Sequence, residues 1–263
     1  MSNLNSGKTD MDLVLQHFES GVLTLTLNRV DKKNSLTSAM YAELAQALAS
    51  AEADAHTKVV LIQGHETIFS AGNDIADFLQ QPAAGEDSPV FRFLRSIAVF
   101  SKPLIASVCG PAVGVGTTLL LHCDLVYAGD NAAFSMPFVN LGLCPEAGSS
   151  LLAVQLMGYQ RAAEALLMGE QFLAETALEI GLVSRVLPPA ETNAYAQQQA
   201  RKMAAKPLSS LMETKRLMKA GITPQVLERI KQEGLVFGRM LKEPAAIEAF
   251  SAFLGKRKPV SSS

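Results

Sequence analysis

The chain has 263 residues, enough to bury a sizeable core in one large domain. Apolar residues make up 48% and charged residues 18%, which excludes a disordered chain; a net charge of -2 without a basic face excludes nucleic acid as the expected partner. The three cysteines, Cys109, Cys123 and Cys144, stand in apolar or small-residue stretches without C-x-x-C spacing, so buried, reduced thiols are expected rather than a disulfide framework.

Met1 to Asp12 is polar and lacks the apolar stretch of a secretory signal, and Ser261-Ser262-Ser263 is not a peroxisomal address. The expectation is a flexible segment over 1–11 and a cytoplasmic protein. Asp12 to Asn28 reads as two strands joined by a turn at Glu19-Ser20-Gly21, with Leu23, Leu25 and Leu27 alternating with Thr24 and Thr26 in the pattern of a half-buried strand. Leu36, Met40, Leu44, Ala47, Leu48 and Ala51 then line one helix face, with Ser35 or Thr37 available as a cap. Val59 to Ile62 is wholly apolar, the mark of a strand covered on both faces. Gln80 to Pro89 reads as a mobile loop, after which a helical pattern resumes at Phe91, Leu94 and Ala98.

Pro103 to Leu121 carries no charge, but Gly110-Pro111 interrupts it. A buried strand (Leu104 to Cys109), a glycine turn and a helix are expected there rather than a membrane span. Leu125 to Tyr127 and Ala133-Phe134 are short strand signals. Helices are expected from Ser149 to Leu156, capped by serines, and from Arg161 to Met168, stopped by Gly169. Leu182 to Leu187 is a last strand, and only helical patterns follow Glu191. The core is therefore α/β over 12–190, built from strand–strand–helix units, with a helical section over 191–263.

Two strand-to-helix turns carry chemistry: Ser70-Ala71-Gly72-Asn73-Asp74 and Gly110-Pro111-Ala112-Val113-Gly114-Val115-Gly116. Small residues let a ligand approach backbone N–H groups, and N–H groups at a helix start have no partner within the helix. Such turns suit a phosphate or an oxyanion, and they are equally compatible with a packing turn. A short-chain dehydrogenase reading is disfavoured, because none of Tyr41, Tyr127, Tyr159 and Tyr195 has a lysine four residues on. His17, His56, His65 and His122 have no metal-ligand spacing, and no Gly-x-Ser-x-Gly elbow occurs. Glu146 lies among Phe138, Val139, Leu141, Leu143, Leu151 and Leu152. It is either an acid capping a helix start or a desolvated base of raised pKa.

Phe69-Ser70-Ala71-Gly72-Asn73-Asp74-Ile75, Lys102-Pro103-Leu104-Ile105-Ala106 and Gly110-Pro111-Ala112-Val113-Gly114-Val115-Gly116 resemble the enoyl-CoA hydratase/isomerase (crotonase) superfamily. So do Leu27-Asn28-Arg29 with Asn34-Ser35-Leu36, Arg161-Ala162-Ala163-Glu164-Ala165, Ala177-Leu178-Glu179-Ile180-Gly181-Leu182-Val183 and the closing Lys256-Arg257-Lys258-Pro259. The resemblance implies a crotonase-like ββα spiral core with a C-terminal helical trimerisation section, a homotrimer or dimer of trimers. It implies an acyl-CoA thioester substrate, with coenzyme A part of the substrate and no separate cofactor or metal. The N–H groups of Ala71 and Val115 would form an oxyanion hole. Lys32, Asp74, Ile75, Gly114, Phe138 and Lys256 would contact the CoA ester.

Family hydratases use two glutamates, which fall here at Thr118 and Phe138; neither residue can supply acid–base chemistry. Pro145-Glu146-Ala147-Gly148-Ser149-Ser150 is similar instead to the Pro-Glu-Gly-x-Ser-Ser stretch of peroxisomal-type Δ3,Δ2-enoyl-CoA isomerases. Members of that branch also carry a bulky residue where Val115 stands. The expected reaction is a 1,3-proton shift by Glu146 through a dienolate. A hydratase, another CoA-ester isomerase and a non-catalytic acyl-CoA binding protein are the alternatives.

Overall fold

A computed structural model describes residues 12–80 and 87–255 of the chain. Most of the segment expected as a mobile loop, at 81–86, and the expected CoA contact Lys256 lie outside the described residues. Strands β1 (Val14–Glu19) and β2 (Val22–Leu27) form an antiparallel hairpin turned by Ser20 and Gly21, both at positive φ. Helix α1 (Ser38–Ala53) follows, capped by Thr37, whose Oγ1 accepts from the Met40 N–H. Then come β3 (Val59–Gln63), α2 (Ile75–Gln80), α3 (Pro89–Val99) and β4 (Leu104–Val108). The short elements β5 (Pro111–Val113), α4 (Val115–Thr118), β6 (Leu125–Gly129) and β7 (Ala133–Ser135) lead to α5 (Ser149–Met157) and α6 (Tyr159–Ala163). Strand β8 (Phe172–Leu173), α7 (Ala174–Glu179) and β9 (Arg185–Leu187) complete the α/β part. The helices α8 (Pro189–Ala204), α9 (Leu208–Lys219), α10 (Thr223–Met240) and α11 (Pro244–Gly255) close the chain.

The main sheet runs β1-β2-β3-β4-β6-β9, parallel from β2 onward. Its inner strands β3 and β4 are short and mostly apolar because both faces are covered. Alternate side chains go to opposite cores. Val60 and Ile62 join Leu104, Ala106, Val108 and the α1 and α3 residues Leu44 and Ile97; Val59 and Leu61 join Ile105, Tyr127 and the α8 alanines Ala196, Ala200 and Ala204. Those alanines recur every fourth residue, so α8 lies close against the sheet. Thr24, expected on a wet face, is buried beneath α8 and accepts a hydrogen bond from Gln197 Nε2 at 2.6 Å. The expected boundary at 190/191 thus cuts through a helix that belongs to the sheet.

A second sheet, β5-β7-β8, carries the site. Two further expectations change here, the cap of α5 and the burial of the cysteines, and one helix, α2, was not anticipated. Helix α2 has only six residues, too few to show a period, and Asp74 starts it: Oδ1 accepts from the N–H groups of Ala76 (3.1 Å) and Asp77 (3.2 Å). Helix α5 is not capped by its serines, since its N-cap is Gly148 and Ser149 Oγ donates backward to the Glu146 carbonyl at 2.6 Å. Of the three cysteines only Cys109 is fully buried; Cys123 and Cys144 are partly exposed.

Candidate active site

The two glycine turns lie side by side. Val113 N–H donates to the Ser70 carbonyl at 2.9 Å, while Ser70 Oγ donates to the Asn34 carbonyl at 2.9 Å. Asn34 is fully buried at positive φ, and its Nδ2 donates to the Phe69 carbonyl at 3.1 Å, tying the Asn34-Ser35 loop to the first turn. Gly72 has φ +85°, and a Cβ there would stand 2.8 Å from the Val113 carbonyl oxygen, so a side chain would force the turns apart.

Accounting for each N–H group shows what these turns can offer. Ala71 N–H donates to the Lys33 carbonyl at 2.9 Å, Gly72 N–H to Ser70 Oγ at 3.2 Å and Asp74 N–H to the Leu36 carbonyl at 2.8 Å. Asn73 N–H, between them, has no partner among the described residues. In the second turn Gly114 N–H donates to the Ser135 carbonyl at 2.9 Å, and Val115 N–H, the first of α4, has no partner among the described residues. Asn73 and Val115 line one cavity of about 330 Å³. The expectation for Ala71 is therefore corrected: its N–H is already used, because the left-handed Gly72 turns the next N–H, that of Asn73, into the unpaired position. The signal was present in the Gly72-Asn73 dipeptide but required the backbone torsions to read.

Asp74, Ile75, Gly114 and Phe138 line this cavity as expected. Lys32 does not: it is exposed on a 3₁₀ turn, and its left-handed neighbour Lys33 lines the cavity instead. Asp74 contributes less than expected, since its Oδ2 is paired with Arg29 Nη1 at 2.6 Å and its Oδ1 caps α2. Phe250 and Phe253 of α11 complete an apolar wall.

Glu146 is buried beside a narrower space of about 30 Å³ that shares Asn73, Phe78 and Phe237 with the larger cavity. Burial pushes its pKa up to about 7, opposed by a hydrogen bond from Thr118 Oγ1 (3.0 Å to Oε1) and reinforced by the Glu233 carboxylate. Near neutral pH the group is divided between its ionised and neutral forms, the state in which a carboxylate both takes and returns a proton. Thr118, where a hydratase would carry an acid, instead orients this one. Tyr41 OH, wholly buried on α1, donates to Asn73 Oδ1 at 2.5 Å and fixes the Asn73 side chain between cavity and acid. Neither Tyr41 nor Glu233 was singled out from the sequence; each lies far along the chain from the residue it supports.

Solved structures share this architecture. Pseudomonas aeruginosa OdaA superposes with a TM-score of 0.90 at 48% identity, over 93% of this chain and 99% of that one. Residues 17–262 match the family described as enoyl-CoA hydratase/isomerase. The chain belongs to that family, and so to the crotonase superfamily of enzymes. Its relatives include the 2,3-dehydroadipyl-CoA hydratase of Escherichia coli strain K12, 35% identical over 90% of this chain and 94% of the relative. The 1,2-epoxyphenylacetyl-CoA isomerase of the same organism is 36% identical over 95% and 98%. Enoyl-CoA delta isomerase 2 of Rattus norvegicus is 37% identical over 78% of this chain but only 54% of its own length. Among the described residues no helix is long and apolar enough to cross a membrane.

Proposed function

We propose that this enzyme shifts the double bond of a 3-enoyl-CoA to the 2-position. The observation that carries the reading is one buried carboxylate, Glu146, held near pKa 7 beside a cavity lined by two unpaired N–H groups. Glu146 removes a proton from C2, and the charge moves onto the thioester oxygen as a dienolate. The N–H groups of Asn73 and Val115 are fixed before reaction and donate hydrogen bonds to that oxygen without reorganisation. Glu146 then delivers its proton to C4, giving the conjugated ester. The apolar wall of Phe78, Phe138 and Phe237 keeps water from the intermediate.

Hydration needs a second acid–base group. Thr118 and Phe138 occupy the places where the family's hydratases carry their two acids, and Asp74, the carboxylate lining the larger cavity, is committed to Arg29 and to α2. The test is Glu146→Gln, with loss of conversion of 3-enoyl-CoA to 2-enoyl-CoA expected; near-normal turnover would sink the assignment. A second reading, isomerisation of an epoxide-bearing aryl-CoA ester, has in its favour the end-to-end match to the epoxyphenylacetyl-CoA isomerase. A panel of 3-enoyl, 2-enoyl, dienoyl and epoxide CoA esters separates these activities, and binding without turnover of any would favour the non-catalytic alternative. Exposed apolar residues Tyr159, Leu167 and Met168 support the reading of a homotrimer or dimer of trimers, which light scattering checks; a monomeric mass would overturn it.

A further inference from the structure

The turn that carries Glu146 is unfavourable in itself. Ala147 (φ 62°) and Gly148 (φ 71°) are both left-handed, a conformation in which alanine's Cβ crowds the following carbonyl oxygen. Three groups hold it. Ser149 binds the Glu146 carbonyl through N–H (3.0 Å) and Oγ (2.6 Å), and buried His122 Nε2 donates to the Ala147 carbonyl at 2.7 Å. The third comes from α10, where the buried Glu233 accepts the N–H of Gly148 at Oε2 (2.6 Å) and that of Ser150 at Oε1 (3.0 Å). Glu233 thereby caps α5 in place of the side chain that Gly148 lacks.

We propose that Glu233 is a positioning residue for the reaction: by gripping the Gly148 and Ser150 N–H groups it sets the left-handed turn that aims the Glu146 carboxylate at the cavity. The proposal rests on Glu146 being the base. Glu233 also acts on that base through its charge. The other groups facing Glu146 are the Thr118 hydroxyl from α4, the Tyr41 phenol from α1 and the Cys144 thiol from its own loop, and burial raises the pKa of both Tyr41 and Cys144. All three are neutral at working pH, which leaves Glu233, both of whose carboxylate oxygens accept N–H bonds, as the neighbour whose charge raises the Glu146 pKa. Glu233 itself faces Arg229, one turn earlier on α10, whose Nη1 donates to Ser150 Oγ at 3.0 Å, and Cys144, whose thiol donates to the Glu233 carbonyl. Burial raises the Glu233 pKa, against the hydrogen bonds from Ser150 and Gly148 and the charge of Arg229.

Two variants separate reach from charge. Glu233→Gln removes the charge and one acceptor; Glu233→Asp keeps the charge but withdraws it by one methylene. For both, and for Glu146→Gln, the pH dependence of kcat and KM on a 3-enoyl-CoA is measured. Exchange of the C2 protons of butyryl-CoA in D2O is followed alongside, because it reads the base without requiring a double-bond shift. In E233Q kcat falls about tenfold with KM within about twofold, and the acid limb of kcat moves to lower pH, since a like charge no longer opposes ionisation of Glu146. In E233D kcat falls similarly while the acid limb stays in place. A residue that served only to hold α10 in place would lower Tm and leave both the acid limb and kcat per folded enzyme unchanged. That result, with E146Q inactive, overturns the proposal alone; an active E146Q overturns the base assignment itself. Should E233Q fail to fold, E233D with wild-type kcat is sufficient to overturn it.

Discussion

At the scale of single residues, the site depends on which backbone groups are left unpaired. Ala71, Asn73 and Val115 all line the cavity, yet Ala71 N–H is bonded to Lys33 and the other two are not. The glycine turns and Glu146 were legible as motifs, because small residues and an acid among leucines are unusual wherever they occur. The choice between adjacent N–H groups was not, since one left-handed residue reverses it. Val115→Pro tests the donor directly. Position 115 is the first of α4, where proline's φ is tolerated and only the N–H is lost. Turnover should fall about 10²–10³-fold, whereas Val115→Ala, which keeps the N–H, should stay within about tenfold of wild type. Steady-state kinetics of the two variants check this, and equal losses would assign the effect to the side chain.

At the scale of elements, length decided what could be read. The α1 face and the apolar β3 run declare themselves over several periods, whereas α2, α4 and β8 are too short to show one. The long helix α10 was legible as a helix, but its role was not, because Glu233 and Gly234 act on residues far earlier in the chain. Gly234 lies inside α10, where alanine would ordinarily stabilise by about 1 kcal/mol. Here a Cβ would stand 2.2 Å from Phe91 Cζ of α3, and both residues line the space beside Glu146. Gly234→Ala should therefore destabilise by about 1–3 kcal/mol despite the better propensity. Displacement of the Phe91 ring should also raise KM for longer acyl chains more than for short ones. Denaturant melts and a chain-length series check the two effects.

For the whole molecule, the layered α/β architecture followed from the alternation of apolar residues, while the placement of α8 on the sheet did not, because a stripe of alanines, however regular, does not say which surface it meets. Under the proposed mechanism, stability and activity oppose each other at the buried acid. Burial raises Glu146 from 4.5 to about 7, so between those values the folded state holds a proton that the unfolded state releases, and stability falls as pH rises through this window. His122 acts in the other direction. Buried and lowered from 6.5 to about 4, chiefly by burial, it favours the folded state fully above 6.5 and loses that contribution as pH falls toward 4. The two slopes overlap and offset each other. Glu146→Gln removes one of them, and should stabilise the fold by about 3 kcal/mol at pH 8 with little gain near pH 4.5. Calorimetric melts across pH check this; a Tm at pH 8 no higher than wild type would show that Glu146 ionises there without penalty.

The grip of Glu233 on Gly148 spans 85 residues of chain. During synthesis both glycine turns and the acid itself emerge well before α10 does. On the proposed reading, the oxyanion donors depend on contacts complete once Ser135 is made, but the aim of the base waits for a helix made near the end. The growing polypeptide could thus shape a thioester cradle early and still be unable to abstract a proton until its last quarter docks, so that chemical competence becomes a mark of finished folding.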